Sequence, residues 1–572
     1  MIKASLSSCL LAAVFFLAIH ACKSGSGIDT RGIARDPESI NQGMAIFNMQ
    51  CSPCHSFRQD GIGPQLGGLT LERETEWIKK FILNPAALFA SGDVTAKQLV
   101  EKYKVIMPAF ALKPEELDDL LAFMHTHPKP SFADTSGLVA LENPIPDTIR
   151  HSDLVVDLEL VTRFPASSDS GKLPLTRITK MDPHPNTGES YVLDLRGKLY
   201  RLEKNKPVVY MDMAKFRPKF INQPGLATGF GSFAFHPEFH HNGLLYTTHT
   251  EPPGTATADF AFPDSIRVLL QWVLMEWKTP APGEKEFRGS GRELFRVNME
   301  SGIHGVQEII FNPLSKPGYE DYGMLYIGIG DGGAVEHGYP FIAHNLKTVW
   351  GNILRIDPAG NNSRNGKYGI PASNPFAKNP DALGEIFATG FRNPHRITWS
   401  RTGQMLVSNV GHYNIESLNL VEAGLDFGWP LTEGRFLVNA YADLKKVYAL
   451  PPDHGMPLTY PVVAYDHDEG KAITGGYEYT GEAVPPLKGK FLFGDIPTGR
   501  LFYVNMADIQ SGSEATIKEW SVAHQGKVQS LRELCGTDRV DLHFGRDAAG
   551  EIYIMTKPDG KLYKLVKAEE IN

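Results

Sequence analysis

The feature that most restricts how this chain can fold is a strand pair that recurs along its C-terminal part. "GESYVLDLRGKLYRLEK" from Gly188, "GKFLFGDIPTGRLFYVN" from Gly489 and "GEIYIMTKPDGKLYKLV" from Gly550 each read as a glycine turn, a strand, a polar or glycine turn and a second strand. Looser copies begin at Gly243 ("GLLYTTHT"), Gly323 ("GMLYIGIGDGG") and Gly403 ("GQMLVSNVG"). One such sheet cannot bury both of its faces, so repeated sheets stack on one another around a channel. Six copies between residues 150 and 572 therefore predict an all-β, six-bladed β-propeller, whereas a β-sandwich needs fewer strands.

Upstream the texture is helical. In "DPESINQGMAIF" Asp36 suits a helix cap and Pro37 its first turn, with Ile40, Met44 and Phe47 on one face. From Pro114 the residues Leu117, Leu120, Leu121 and Met124 form a buried stripe at helical spacing. The Pro-rich stretch "PKPSFADTSGLVALENPIP" separates the two textures. The expected organisation is multidomain: a signal segment over 1–22, a linker over 23–38, a small all-α domain over 39–128, a Pro-rich linker over 129–149 and the propeller over 150–572.

Within the helical domain, "MQCSPCHSF" places Cys51 and Cys54 three apart with His55 directly after. Cys-x-x-Cys-His is the attachment run of a c-type haem, in which both thiols add to haem vinyl groups and the histidine ligates the iron. A redox dithiol and a zinc knuckle use similar residues, but zinc wants four protein ligands and no second Cys/His pair follows at metal-ligand spacing. The remaining cysteines, Cys9, Cys22 and Cys535, make no even set for a disulfide framework. Lys3 and the apolar run from Leu10 to Ile19, too short to span a bilayer, read as a secretory signal ending at "IHAC". Cys22 resembles the lipidated first residue of a bacterial lipoprotein, and free secretion with nearby cleavage fits as well. Either route predicts a periplasmic or cell-envelope location, with a membrane anchor at Cys22 if that residue is lipidated. A formal net charge of -8 argues against a nucleic-acid partner.

Between those helices lie "GIGPQLGG" and "IMPAF". With the haem run before them, residues 39–127 resemble a small class I cytochrome c. The resemblance implies that His55 and Met107 are the axial iron ligands. A filled coordination sphere of this kind carries electrons and does not bind oxygen.

In the propeller, "GSFAFHPEFHHNGLLY", "GNILRIDP", "GFRNPHRITW", "GLDFGWP" and "GKAITGGYEYTG" follow one another. In this order they resemble the glucose/sorbosone dehydrogenase family, which uses pyrroloquinoline quinone (PQQ). The resemblance implies His304 in "SGIHGVQEIIF" as catalytic base and Arg392 and Asn393 in "FRNP" as polarising and holding groups for the quinone. It implies that Lys471 and Arg539 bind cofactor carboxylates. Calcium would sit on backbone carbonyls of Gly411 and His412 in "SNVGHYNIESLNL", with Glu416 as a nearby acidic group. His236 in "FAFHPEF" is read as a structural turn residue.

Three departures from the family pattern stand out. The family's Arg-x-Arg pair is here Arg539, Val540 and Asp541; an expected glutamine is Ala227; and Ile303 precedes the base. The activity so implied is oxidation of an aldose at its anomeric carbon. His304 takes the proton, the quinone takes two electrons, and the chain's own haem accepts them one at a time before a downstream respiratory acceptor. The competing expectations are a non-catalytic ligand-binding propeller tethered to a separate electron carrier, and a calcium-dependent propeller hydrolase.

Overall fold

A computed structural model describes residue 30 and residues 32–52, 54, 55, 57, 63–127, 138–225, 227–263, 266–452 and 454–570. The signal segment, Cys9, Cys22 and most of the first half of the Pro-rich linker lie outside the described residues.

The N-terminal domain is helical, with its main elements at Pro37–Ile46, Thr75–Leu83, Pro85–Ala90, Val94–Tyr103 and Pro114–His125. The first helix starts as its sequence dictates, with Asp36 accepting from the Ser39 N–H at 2.9 Å and Pro37 at the first position. A π-helical turn, Phe47–Cys51, continues it and delivers Cys51 into the core beside Phe47. Leu117, Leu120, Leu121 and Met124 are all buried on the last helix. The first and last helices cross closely at Gly43, where an added Cβ would stand 1.8 Å from the Asp119 carbonyl oxygen.

The C-terminal domain is a large, all-β, propeller-like array of four-stranded antiparallel runs. Four sheets have four strands each, and one of thirteen strands itself divides into such runs. The runs open with Ile178–Pro183, Phe230–Phe235, Glu308–Phe311, Pro394–Trp399, Ile473–Glu478 and Leu542–Arg546. These opening strands are almost wholly buried rather than alternating, as strands covered on both faces are. They lie against one another, and Leu542–Arg546 bridges Ile178–Pro183 in parallel at Gly545 and Met181. Each glycine of the repeated phrases (188, 243, 323, 403, 489 and 550) stands just before the second strand of a run with φ between 66° and 91°. That left-handed conformation explains why glycine recurs there.

The strand Arg150–Arg163 belongs to the end of the array. It pairs in parallel with Lys518–His524 and antiparallel with Lys561–Glu570. The second half of the Pro-rich stretch is not free chain: Ala140–Leu141 pairs with Val447–Ala449 in a small extra sheet that also holds Phe436–Val438 and Thr432–Glu433. This sheet is built within the long excursion between the third and fourth strands of the run that opens at Pro394.

Gly43→Val is expected to force the first and last helices of the N-terminal domain apart. The expected cost is about 1–3 kcal/mol, the range for overpacking. A lower melting temperature of that domain, followed by its absorption on heating, checks this.

Candidate active site and haem pocket

In the helical domain, Cys51, Cys54, His55, Gly63, Pro64 and Met107 line one cavity of about 460 Å³. The His55 ring is oriented by Nδ1 against the Pro64 carbonyl at 2.7 Å, as a second-partner bond fixes a ligating imidazole. Gly63 is pressed against that ring, and an added Cβ would come within 2.3 Å of His55 Cε1. Both cysteines are free thiols. Burial pushes Cys51 up to about 12 and Cys54 up to about 11, so neither is a ready redox nucleophile. An apolar cavity with two thiols, an oriented imidazole and a thioether on its wall fits a covalently attached haem.

Two residues of the β domain, Lys445 and Arg539, complete the wall of this cavity. After burial, the charges that act on the Cys54 thiol are Arg539, Glu336 and Asp541. The haem-attachment edge therefore faces the β domain at the point where its opening strands begin.

There the structure brings His304, Arg392, Gly411 and His412 together. His304 adopts a left-handed backbone, φ 51°, at the turn before Glu308–Phe311. Its Nδ1 lies 2.9 Å from Asp331 Oδ1, and the other Asp331 oxygen accepts from Trp429 Nε1 at 3.0 Å. Asp331 also accepts from the Gly333 N–H at 2.9 Å. With Nδ1–H directed at the carboxylate, Nε2 carries the lone pair. Burial, then the Arg392 charge, lowers the His304 pKa against the pull of Asp331, so the imidazole is neutral at ordinary pH. Burial alone would raise Asp331, but its bond to His304 and the Arg392 charge outweigh this and hold it below the usual value.

Arg392 starts its strand through Asn409, whose Oδ1 accepts from the backbone N–H of Arg392 at 3.1 Å and of Asn393 at 2.9 Å. The guanidinium donates to the Gly411 carbonyl, lies 3.5 Å from Glu336 and sits over the Trp429 ring. Its Nε is buried without a partner among the described residues. Burial would raise Glu336, but His412 and then Arg392 bring it down to about 2. The loop from Gly411 is shaped by two carboxylates. Glu433 Oε1 accepts from the backbone of His412, Asn414 and Ile415 at 2.7–3.1 Å, and Glu416 Oε2 accepts from Gly411 at 3.2 Å and Ile473 at 2.8 Å.

The other candidates separate. Arg539 is paired with Asp541 at 2.7 Å and faces the haem cavity. Lys471 donates to the His467 carbonyl at 2.6 Å and lines a different cleft, shared with Lys104 of the helical domain. No hydrogen bond or ion pair among the described residues joins Lys471 to His304 or Arg392. His236 accepts from the Glu238 N–H at 3.0 Å within a turn. The Ala227 carbonyl accepts from Gln307 Nε2 at 3.3 Å, so a glutamine amide reaches that position from a neighbouring strand.

Residues 178–564 match the Glucose / Sorbosone dehydrogenase family model, and residues 40–128 match Cytochrome c. The chain belongs to the Glucose / Sorbosone dehydrogenase family. Its N-terminal domain is a cytochrome c domain, which implies haem c. The HIPL1 protein of Arabidopsis thaliana is 27% identical over 390 residues, 60% of this chain and 54% of that one. Quinoprotein glucose dehydrogenase B of Acinetobacter calcoaceticus is 23% identical over 337 residues, 53% of this chain and 63% of that one. The chain thus spans less than two thirds of either relative. The PQQ-bound aldose sugar dehydrogenase of Streptomyces coelicolor is 18% identical, with a TM-score of 0.46, covering 72% of this chain and 98% of that chain.

The site's chemistry fits a quinone with carboxylates, because a buried guanidinium offers an unused donor beside a neutral, carboxylate-oriented imidazole. The Gly411 carbonyl, one of the two expected calcium ligands, accepts from the Arg392 guanidinium and keeps a second lone pair. Among the described residues no three His, Cys, Asp or Glu side chains gather as a metal site.

Glu433→Ala would strand three backbone N–H groups. The expected loss is on the order of 3 kcal/mol, read as a lower denaturation midpoint. Met107→Ala is expected to keep the haem attached but lower its potential in a potentiometric titration.

Proposed function

We propose that this chain is an exported sugar dehydrogenase that oxidises an aldose with PQQ and passes the electrons to its own c-type haem. The observation that carries this reading is the His304–Asp331 pair beside Arg392, whose partner Glu336 acts in charge on the thiol that would hold the haem. The antiparallel runs are read as six blades around a channel whose mouth carries this site.

His304 Nε2 accepts the proton of the sugar's anomeric hydroxyl, and Asp331 holds the ring in the tautomer that makes this possible. Trp429 locks the other Asp331 oxygen, so the carboxylate cannot turn away. Arg392 offers its free Nε to an oxygen of the cofactor, and Asn393 adjoins it. Bound PQQ supplies a two-electron acceptor. Fusion to the cytochrome c domain keeps the next acceptor at high effective concentration. Calcium on the Gly411 and His412 carbonyls belongs to the same proposal. A periplasmic or envelope location, anchored through Cys22 if that residue is lipidated, belongs to the same proposal, as does a respiratory acceptor downstream.

The test is to incubate the haem-loaded protein with PQQ and a panel of aldoses and follow haem reduction. His304→Ala should slow this by about 10²–10⁴. Because His304 must be neutral and its pKa is lowered, the rate should hold steady as pH falls through 6.5 and drop only below it. Wild-type haem that stays oxidised with every aldose favours a ligand-binding propeller instead.

A further inference from the structure

Around the mouth of the channel, the buried carboxylates have partners: Asp331 has His304, Glu336 has Arg392, Asp541 has Arg539, and Glu308 has Lys180. Two buried cations have none. Arg177, just before Ile178–Pro183, donates through Nη1 to the carbonyls of Asn222 at 3.3 Å and Thr228 at 3.5 Å, and its Nη2 is buried without a partner among the described residues. Lys557, just after Ile552–Thr556, is 8% exposed, and its ammonium makes no hydrogen bond or ion pair with any described residue. The two are held side by side, since the Lys557 carbonyl accepts from the Thr176 N–H at 3.1 Å and from its hydroxyl at 3.2 Å.

An unpaired buried cation is costly, and two together are costlier still. The strain is visible in Lys557: burial, then the charges of Arg177, Arg539 and Arg396, against the pull of Asp541, bring its pKa down to about 7. The pair also belongs to the same centre as the base. Lys557 and His304 both act on the buried His395 between them in charge, and Asp541 acts on both Arg177 and Lys557. Asp541 stands where the family pattern has a second arginine, so it removes a cation and neutralises Arg539. Arg177 and Lys557 restore two positive charges within its field.

We propose that Arg177 and Lys557 form a carboxylate-binding subsite that grips one carboxylate of the ligand whose reacting end lies at His304 and Arg392. A planar guanidinium donor beside an ammonium is the chemistry that recognises a carboxylate. Naming PQQ as that ligand rests on the dehydrogenase reading; the subsite itself does not.

The experiment is equilibrium dialysis of PQQ against the haem-loaded protein, with and without calcium chloride, for wild type, Arg177→Gln, Lys557→Met and Lys557→Arg. Lys206→Gln, on an exposed strand, serves as control. Loss of one charge-assisted contact should weaken binding roughly 10-fold to 100-fold. Lys557→Arg, which keeps the charge, and the control should bind like wild type. Unchanged circular dichroism and haem absorption show that the variants are folded. Equal PQQ binding by wild type, Arg177→Gln and Lys557→Met overturns the subsite. If wild type takes up no PQQ, the dehydrogenase reading falls and citrate decides the subsite. Citrate that raises the melting temperature of wild type but not of the Arg177→Gln, Lys557→Met double variant supports it, and citrate without effect on wild type overturns it.

Discussion

The strand Arg150–Arg163 lies between two strands from the far end of the sequence, and the whole β domain depends on that insertion. A sheet array that stacks around an axis must close, or its first and last sheets expose unpaired edges. Here the strand is held by backbone ladders on both sides, backed by Leu154, Val156 and Leu158 in a core with Trp520, Tyr563 and Leu565. The opening strands of the runs lie against one another. His304, Arg392, Arg539, Arg177 and Asp331 come from distant parts of the sequence, and the packing of these strands gathers them.

At that mouth, charge sets the chemistry. The fully buried Asp331 accepts from His304, Trp429 and Gly333, so one carboxylate fixes the imidazole, the indole and the turn together. Glu336 does the same on the other side with Arg392 and His412. Buried ion pairs add little net stability, but removing one partner costs about 3–5 kcal/mol, so such pairs hold geometry more than they hold the fold. This suits a site whose base must stay neutral and aimed.

Much of this was legible in the sequence, for physical reasons that also mark where legibility stops. Cys51, Cys54 and His55 were visible because haem attachment is encoded locally, and the cavity that gathers them with Met107 agrees. The repeat was visible because a left-handed turn admits glycine best, and the glycines recur. They mark the second strand of each run, so the opening strands, which lack an alternating pattern, left no comparable trace. His304 and Arg392 came through a family pattern and do meet in space. Asp331 lay inside a quoted phrase, "GMLYIGIGDGG", and Glu336 shortly after it, with nothing to set them apart, and Glu433 and Lys557 carried no signal because their roles arise from chain crossings. Lys471 shows the converse: its phrase matches the pattern, but its ammonium is held by the His467 carbonyl in another cleft.

The order of the chain gives the closing strand a further meaning. A polypeptide made from its N-terminus completes the cytochrome c domain long before Lys561–Glu570 exists to pair with Arg150–Arg163. Glu336, Arg539 and Asp541, whose charges act on the Cys54 thiol in the folded chain, all follow the cytochrome c domain in the sequence. Topology thus sets an order: the haem-attachment run comes first in the chain, and the residues that complete the wall of its cavity, Lys445 and Arg539, come near the end.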